Sequence, residues 1–259
     1  MTARTVSRVA RRDPPPAPRK APARRRARFD ERDRKIREVA QRLLLERGLH
    51  GFSMDDVADA IDYSKGTVYQ HYRSKEDALL GCCAVNGAEL ASRLERAAAR
   101  PGRPRERMVA VGEAYSSFLR ENLAQFRTIP LMHAPTVHEK ASAKVLRAVQ
   151  GAQGRCVDAC ASVVRDAVAC GDLRVPKGWR VETITFALWS AMFGAYMLVE
   201  LKRPQGGVLG IHDPADTVRR TWSVAMDGLG WRPTSREVDA GAASRRGRAP
   251  RASREGKHA

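Results

Sequence analysis

Three serine residues divide residues 53 to 80 into closely spaced helical units. Ser53, Ser64 and Ser74 each precede a run of residues that favours helix. A serine hydroxyl at this position accepts a hydrogen bond from an N–H group of the first turn that has no partner inside the helix. The sequence therefore predicts two short helices followed by a third that starts at Ser74.

A longer amphipathic helix is predicted immediately before these units. From Asp33 onward, apolar side chains recur at the i, i+3, i+4, i+7 and i+8 positions of a helix, with Arg and Glu between them. These positions are Ile36, Val39, Ala40, Leu43 and Leu44. Gly48 follows at the position where glycine commonly ends a helix, so we expect the helix to end there.

The two short helices have the composition of a helix-turn-helix. Val57 and Ile61 give the first helix an apolar face, and a turn at Asp62 and Tyr63 leads into the second. A DNA major groove is about 12 Å wide and admits one α-helix, so the helix that enters it needs small or polar residues on its outer side. Residues 65–71 supply them. Binding to double-stranded DNA is therefore the first functional hypothesis, and an ordinary helical hairpin is the alternative.

Residues 36–80 resemble the DNA-binding domain of the tetracycline-repressor (TetR) family of bacterial transcriptional regulators. The resemblance rests on the run Ser64-Lys-Gly-Thr-Val-Tyr-Gln-His-Tyr-Arg-Ser-Lys-Glu-Asp. The sequence departs from the family pattern at Asp62, where glycine is usual, and at Tyr63, where a small aliphatic residue is usual. Aspartate tolerates the left-handed backbone conformation, so we expect the turn to form despite the first change.

The resemblance implies a set of DNA contacts centred on the second short helix. The expected contacts to bases or phosphates are Ser53, Ser64, Lys65, Thr67, Tyr69, Gln70, His71, Tyr72 and Lys75. Gly66 belongs to the same set for a different reason. Glycine inside a helix costs about 1 kcal/mol relative to alanine, and we interpret its presence as room for a close approach of the backbone to DNA.

The rest of the sequence predicts an all-α fold. We find no convincing strand pattern, and glycine or proline marks the breaks between helical segments. These segments are predicted at about residues 74–100, 105–123, 137–170, 179–201 and 214–229.

The two ends carry most of the positive charge. The formal net charge is +18; residues 1–28 hold ten Arg or Lys against one Asp, and residues 232–259 hold eight against three acids. Such segments favour polyanions. We expect disordered basic segments at residues 1–30 and 232–259, and the first should strengthen DNA binding with little sequence preference. Between them we expect a DNA-binding domain at residues 31–77 and a helical ligand-binding and dimerisation domain at residues 78–231.

The last two predicted helices have the composition of a subunit interface. In the resembling family they form a four-helix bundle with the partner subunit, which implies a homodimer on a palindromic operator with half-sites about 34 Å apart. Small residues allow close approach, while large apolar ones cover area. The expected interface residues are Ser190, Ala191, Gly194, Ala195, Trp222, Ala225, Met226 and Leu229. An intramolecular core is the alternative for the same residues.

The family usually places an inducer pocket between the helix-turn-helix and these last helices. Apolar side chains with a few polar tips suit a small apolar or amphipathic ligand, and core packing is the alternative. The candidate lining residues are Met108, Tyr115, Phe118, Phe126, Met132, His133, Trp189, Phe193 and Tyr196. We expect repression that is released when this ligand binds.

Other functional classes have weaker support in the sequence. Cys156 and Cys160 could join His133 and His138 in a metal site, but the spacing between the pairs is long, and buried thiols usually pack as small apolar groups. No cysteine has the surroundings of a catalytic nucleophile. We expect no metal, no cofactor and no enzymatic activity. The competing hypothesis is a ligand-independent, architectural DNA-binding protein whose basic tails dominate binding.

Residues 183–199 carry no charge and reach the lower limit of about 17 residues that can span a bilayer. Because Glu182 and Glu200 flank them and no second span is present, we interpret them as a buried helix. The five cysteines show no CxxC spacing, and the arginine- and proline-rich N-terminal segment lacks the apolar stretch of a signal peptide. We therefore expect a cytoplasmic protein without a membrane partner.

Overall fold

The computed structural model describes residues 21–202 and 213–237, and all the regular elements in these ranges are α-helices. The first four are α1 (Ala21–Arg47), α2 (Met54–Ala60), α3 (Lys65–His71) and α4 (Lys75–Ala98). The next four are α5 (Pro104–Glu121), α6 (Leu123–Met132), α7 (Pro135–Glu139) and α8 (Ala143–Ala169). The last two are α9 (Val181–Lys202) and α10 (Pro214–Gly228).

Each of the three predicted serine caps is present. The Ser53, Ser64 and Ser74 hydroxyls accept hydrogen bonds from the N–H groups three residues later, at distances of 3.0–3.2 Å. At α2 the bond is reciprocal, because the Asp56 carboxylate also accepts from the Ser53 N–H at 2.7 Å. At α4, Asp77 occupies the equivalent position three residues after Ser74. Its carboxylate instead accepts from the Arg73 N–H at 3.1 Å.

Helix α1 begins earlier than the amphipathic pattern indicated. Residues 21–30, which we expected to be disordered, continue the helix beyond the first apolar position, and residues 23–30 are exposed. Alanine and arginine are strong helix formers, and Phe29 adds one anchoring contact to the rest of the domain. Residues 1–20, the remainder of the predicted arm, lie outside the described residues.

The N-terminal helices share a core with part of the larger domain. Ile36, Val57 and Val68, from three different helices, are fully buried in one cluster. The same cluster includes Met132 at the end of α6 and Val137 in α7. The N-terminal helices are therefore packed directly against the α6–α7 region of the larger domain.

The larger domain is built around α4, α5 and α8, and α9 and α10 pack against each other and against this group. Its core includes Leu94, Met108, Val163 and Leu188. The single long helix predicted at residues 137–170 is in fact two helices, since α7 ends at Glu139 and the Ser142 hydroxyl caps the start of α8. That serine was a local signal that the sequence reading missed.

A buried arginine fixes the segment that follows α10. The Arg105 guanidinium donates to the Trp231 carbonyl at 2.6 Å, to the Asp227 carboxylate at 2.5 Å and to the Ser235 hydroxyl at 3.0 Å. Residues 232–237, expected within a disordered tail, are consequently ordered against the end of the bundle. The rest of that predicted tail, residues 238–259, lies outside the described residues.

Candidate nucleic-acid interface

Helix α3 presents a polar outer side and an apolar inner side. Val68 is fully buried, whereas Lys65, Gly66, Tyr69 and Gln70 are exposed. The Tyr69 side chain is 50% exposed, so it does not serve the core of its own domain. An exposed, polar helix side of this width matches what a major groove admits.

The turn before α3 forms as the sequence predicted. Asp62 has a φ of 54°, which is the left-handed conformation that aspartate tolerates better than most residues. The Ser64 hydroxyl then caps α3 and lies 2.8 Å from the Thr67 hydroxyl. Both hydroxyls remain at the surface of the first turn, where phosphate or base contacts are commonly made.

Gly66 has no packing role inside the protein. A Cβ placed on this residue would meet no atom within 4 Å. Its backbone has no positive φ that would require glycine. The missing side chain therefore leaves open space on the outer side of α3, as expected for a close approach to an external partner.

The two predicted lysine contacts both have partners in the free protein. Lys65 Nζ lies 2.6 Å from the Asp55 carboxylate at the surface, and this hydrogen bond is the main reason that the pKa of Lys65 is raised. Lys75 Nζ donates to the Phe52 carbonyl at 2.7 Å and lies 5.1 Å from the centre of the Phe52 ring. A DNA phosphate would compete with Asp55 for Lys65.

His71 and Tyr72 were predicted to contact DNA, and the structure places both inside the domain. The His71 side chain is 2% exposed and lies under Phe29, with ring centres 4.0 Å apart. Tyr72 is 5% exposed, and its hydroxyl bonds to Asp33. Burial is the main cause of its raised pKa. Tyr72 lies four residues after the buried Val68, so helical periodicity already placed it on the inner side.

Sequence reasoning missed the hydrogen bonds that fix the end of α3. The Arg73 guanidinium donates to the carbonyls of Lys140 at 3.0 Å, Glu139 at 3.4 Å and Ala141. This group of bonds connects the recognition helix to the turn between α7 and α8. No local pattern could reveal it, because the partners are more than sixty residues apart.

The other side of the same turn is held by a buried carboxylate. Asp77 accepts hydrogen bonds from the Ser142 N–H and hydroxyl, both at 2.8 Å. The Ser74 hydroxyl donates to the Lys140 carbonyl at 2.9 Å. Movement of the α7–α8 turn would therefore displace the first residues of α4.

Comparison with known proteins agrees with this geometry. Residues 36–81 match the family model described as bacterial regulatory proteins, tetR family. The N-terminal helices of the chain are therefore similar to the DNA-binding part of that family. The matched segment ends within the first two turns of α4, so it covers the helix-turn-helix and its supporting helices.

One curated relative and two solved structures show how far the similarity extends. The HTH-type transcriptional activator FasR of Mycolicibacterium smegmatis is 30% identical over 100 residues, which cover 39% of this chain and 46% of that protein. PfmR of Thermus thermophilus has a TM-score of 0.55 at 24% identity, over 75% of this chain and 98% of that one. The fatty acid degradation regulator FadR of Bacillus halodurans has a TM-score of 0.60 at 12% identity, over 77% and 97%. The chain thus shares its fold with these two solved structures over most of their length, while the sequence match spans less than half of the curated relative.

Most of the residues predicted to line a ligand pocket lie in the core of the larger domain. A group of aromatic rings with centres 5.7–6.2 Å apart comprises Tyr115, Phe126, Phe193 and Tyr196. Met108 and Phe118 are buried in the same cluster. Trp189 is different, because it is half exposed on the outside of α9, although it contributes a hydrogen bond to the Tyr115 hydroxyl.

Two predicted lining residues lie elsewhere. Met132 is buried in the cluster that supports the DNA-binding domain. His133 is exposed, and its ring centre lies 6.4 Å from that of His138. Both residues stand at the end of α6, away from the aromatic cluster of the larger domain.

The predicted interface residues of α9 and α10 also divide between core and surface. Trp222 and Met226 are buried within the subunit, and Trp222 Nε1 donates to the Met108 carbonyl at 3.3 Å. The structure therefore places both in the intramolecular core, the alternative given for these residues. Ser190 is exposed, and the remaining five residues are half-buried. Those five are Ala191, Gly194, Ala195, Ala225 and Leu229.

The exposed side of α9 is more apolar than predicted. Phe186 is 64% exposed, Trp189 49% and Leu198 52%. Residues 181–199 are long and apolar enough to cross a membrane by length and composition, and only 28% of this stretch is buried inside the subunit. The helix predicted as buried is thus buried on one side only in the isolated chain. One side of α9 packs inward and the other remains uncovered in the isolated chain.

The cysteine and histidine pairs considered as metal ligands do not come together. Burial is the main cause that raises the pKa of Cys156 to about 11 and that of Cys160 to about 12. The Cys156 thiol donates to the Gly87 carbonyl at 3.8 Å. Among residues 21–202 and 213–237, no group of three or more His, Cys, Asp or Glu could hold a metal ion.

Proposed function

We propose that this chain is a transcriptional regulator that binds a specific duplex sequence through α3. The proposal rests on the uncovered polar side of α3, where Gly66 and Tyr69 take no part in packing the domain core. The inner side, with Val68 and Tyr72 buried, fixes the orientation of that surface. The match of residues 36–81 to the tetR family model supports the same function.

In this proposal, two copies of the chain form a homodimer through α9 and α10. Phe186 and Trp189, with ring centres 6.3 Å apart, form an exposed apolar surface of the kind that marks a protein interface. A membrane span fits less well, because Glu182 and Ser190 lie on the exposed side and the opposite side packs into a helical core. A two-fold dimer would present two copies of α3 to half-sites about 34 Å apart.

The proposed effector is a small apolar or amphipathic molecule. The aromatic cluster around Tyr115 and Tyr196 combines apolar surface with two hydroxyl groups, the chemistry that such a ligand needs. The bonds of Arg73 and Asp77 to the α7–α8 turn supply a physical route from this domain to α3. An effector changes DNA affinity only if it binds two arrangements of these domains unequally.

Selection from random duplex DNA tests the DNA-binding proposal. We expect enrichment of a palindromic sequence, bound with at least about 10³-fold preference over random duplex at the same salt concentration. The architectural alternative predicts equal binding to both. Failure to enrich any sequence would overturn the proposal.

Titration of the operator complex tests the effector proposal. Release of a fluorescent operator is measured as a long-chain fatty acid is added below its micelle concentration, and operator bound by the chain with Tyr115→Ala is the comparison. We expect saturable release that this substitution weakens at unchanged operator affinity. Absence of release across short-, medium- and long-chain acids, together with absence of direct binding, would contradict it. A reporter gene carrying the operator then distinguishes repression from activation.

A further inference from the structure

We propose that the first two turns of α1 form a second, positionally fixed phosphate-binding element. It would contact the DNA backbone just outside the half-site read by α3. The proposal rests on the proposed DNA-binding function and goes beyond it, because it assigns a separate surface and a separate part of the operator. Residues 21–28 form this element, which we call the α1 extension.

The α1 extension is attached to the recognition helix by a defined contact. Phe29 stacks on His71 with ring centres 4.0 Å apart and an interplanar angle of 22°. One turn later, an Asp33 oxygen lies 3.5 Å from His71 Nδ1. At the other end of α3, the Arg32 guanidinium lies 5.9 Å from the centre of the Tyr63 ring. Helix α1 thus contacts both ends of α3, and His71 is a positioning residue.

The charges of the α1 extension differ from those in the rest of the helix. Farther along α1, basic side chains pair with carboxylates one turn away, as in Arg34 with Glu38 at 2.8 Å and Arg37 with Asp33 at 3.1 Å. The arginines of the extension are exposed, and no carboxylate lies within ion-pair distance of them among the residues that the structure describes. They are Arg24, Arg25, Arg26 and Arg28.

Duplex DNA suits this surface in both charge and length. At 1.5 Å per residue, Ala21 lies about 12 Å beyond Phe29 along the helix axis. Each DNA strand carries one phosphate per about 3.4 Å of axis, so the extension is long enough to face three or four phosphates. Its surface offers guanidinium groups and almost no apolar area, which favours a polyanion over a protein partner.

Neutralising the extension tests the proposal. The quadruple variant R24Q/R25Q/R26Q/R28Q removes four charges, and R245Q/R246Q/R248Q/R251Q removes four charges from the basic C-terminal segment as a matched control. Affinity for the selected operator is measured between 50 and 300 mM salt, on a duplex with flanking DNA and on one trimmed to the two half-sites. We expect the slope of log affinity against log salt to become shallower by about one or more per half-site in the first variant only. The unmodified protein should lose about tenfold in affinity on trimming, and the first variant should not.

The Phe29 contact separates a fixed element from a flexible charged arm. Phe29→Ala keeps every charge but removes the stack on His71, and Phe29→Tyr preserves it. With α-helical content and Tm unchanged, we expect the alanine variant to lose about threefold or more on the flanked duplex, and the tyrosine variant to bind normally. Equal effects of the two quadruple variants, or indifference of the unmodified protein to trimming, would overturn the proposal. If the unmodified protein selects no sequence at all, the proposed function fails instead.

Discussion

Helices α3 and α9 both leave one side uncovered, and the chemistry of those sides is opposite. The outer side of α3 carries Lys65, Gly66 and Gln70, whereas that of α9 carries Phe186 and Trp189. Both helices bury their inner sides in a core of the same subunit. In both helices an uncovered side indicates a partner, and the composition of that side indicates the kind of partner. A polar side with a gap suits DNA, and an apolar side suits a second copy of the chain.

The largest effect is expected from charges placed on α9. The double variant F186E/W189E would bury two carboxylates at the proposed dimer interface, which is strongly unfavourable without cationic partners. We expect a monomer by sedimentation and at least about a 100-fold loss of operator affinity, since only one half-site can be bound at a time. V157E introduces a charge at an exposed apolar position of α8 and is the control. A dimer that persists in F186E/W189E would contradict the assigned role of α9.

A somewhat smaller effect is expected on the outer side of α3. Thr67→Ala and Tyr69→Ala remove one groove contact each, and such contacts are commonly worth about 1–3 kcal/mol. We expect the double variant to lose at least about 30-fold in operator affinity while remaining a dimer with unchanged Tm. Gln153→Ala on the exposed side of α8 is the control. Normal operator affinity in the double variant would contradict the assigned role of α3.

Gly66→Ala separates the effect on DNA binding from the effect on folding. Open space surrounds the added methyl group in the free protein, so we expect the free energy of unfolding not to fall. Operator affinity should fall by about tenfold, because the methyl group would meet the DNA. Gly81→Ala is the contrasting variant, since its Cβ would lie 2.8 Å from the Tyr72 ring and should destabilise the domain. Unchanged operator affinity in the first variant would argue against a close approach.

The smallest effect is expected from the partner of Lys65. Asp55→Asn removes the surface carboxylate that lies 2.6 Å from Lys65 Nζ, so DNA phosphate no longer competes with it. We expect operator affinity to rise about threefold at low salt and the gain to shrink as salt is added. Asp158→Asn, an exposed carboxylate on α8, controls for net charge. An equal gain in both variants would show that Lys65 has no special role.

Local chemistry made the N-terminal half readable from its sequence. The Ser53, Ser64 and Ser74 caps and the left-handed Asp62 each depend on residues within a few positions, and all four were predicted. The burial of Tyr72 also follows from its helical spacing from the buried Val68, whereas similarity to the family pattern indicated a DNA contact. Contacts between distant segments, such as Arg73 with the α7–α8 turn, leave no local trace.

The exposed side of α9 could not be predicted by the same means. Residues 183–199 of α9 contain no charge to mark an orientation, so periodicity could not separate Trp189 from the buried Leu188. In α10 the alternation of Arg219 and Arg220 with Trp222 and Met226 did carry that information. The interface assignment of Trp222 and Met226 came from the family resemblance rather than the local pattern.

The guanidinium of Arg73 occupies the end of a neighbouring helix. It contacts the carbonyls of Glu139 and Lys140, which stand at the end of α7 without helical partners, and that of Ala141 just beyond them. The orientation of α3 is thereby tied to the residue at which the five-residue helix α7 ends. Lengthening α7 by one residue would rotate its terminal carbonyls by about 100°. A single insertion far along the chain would therefore change the spacing of the two α3 helices in the proposed dimer.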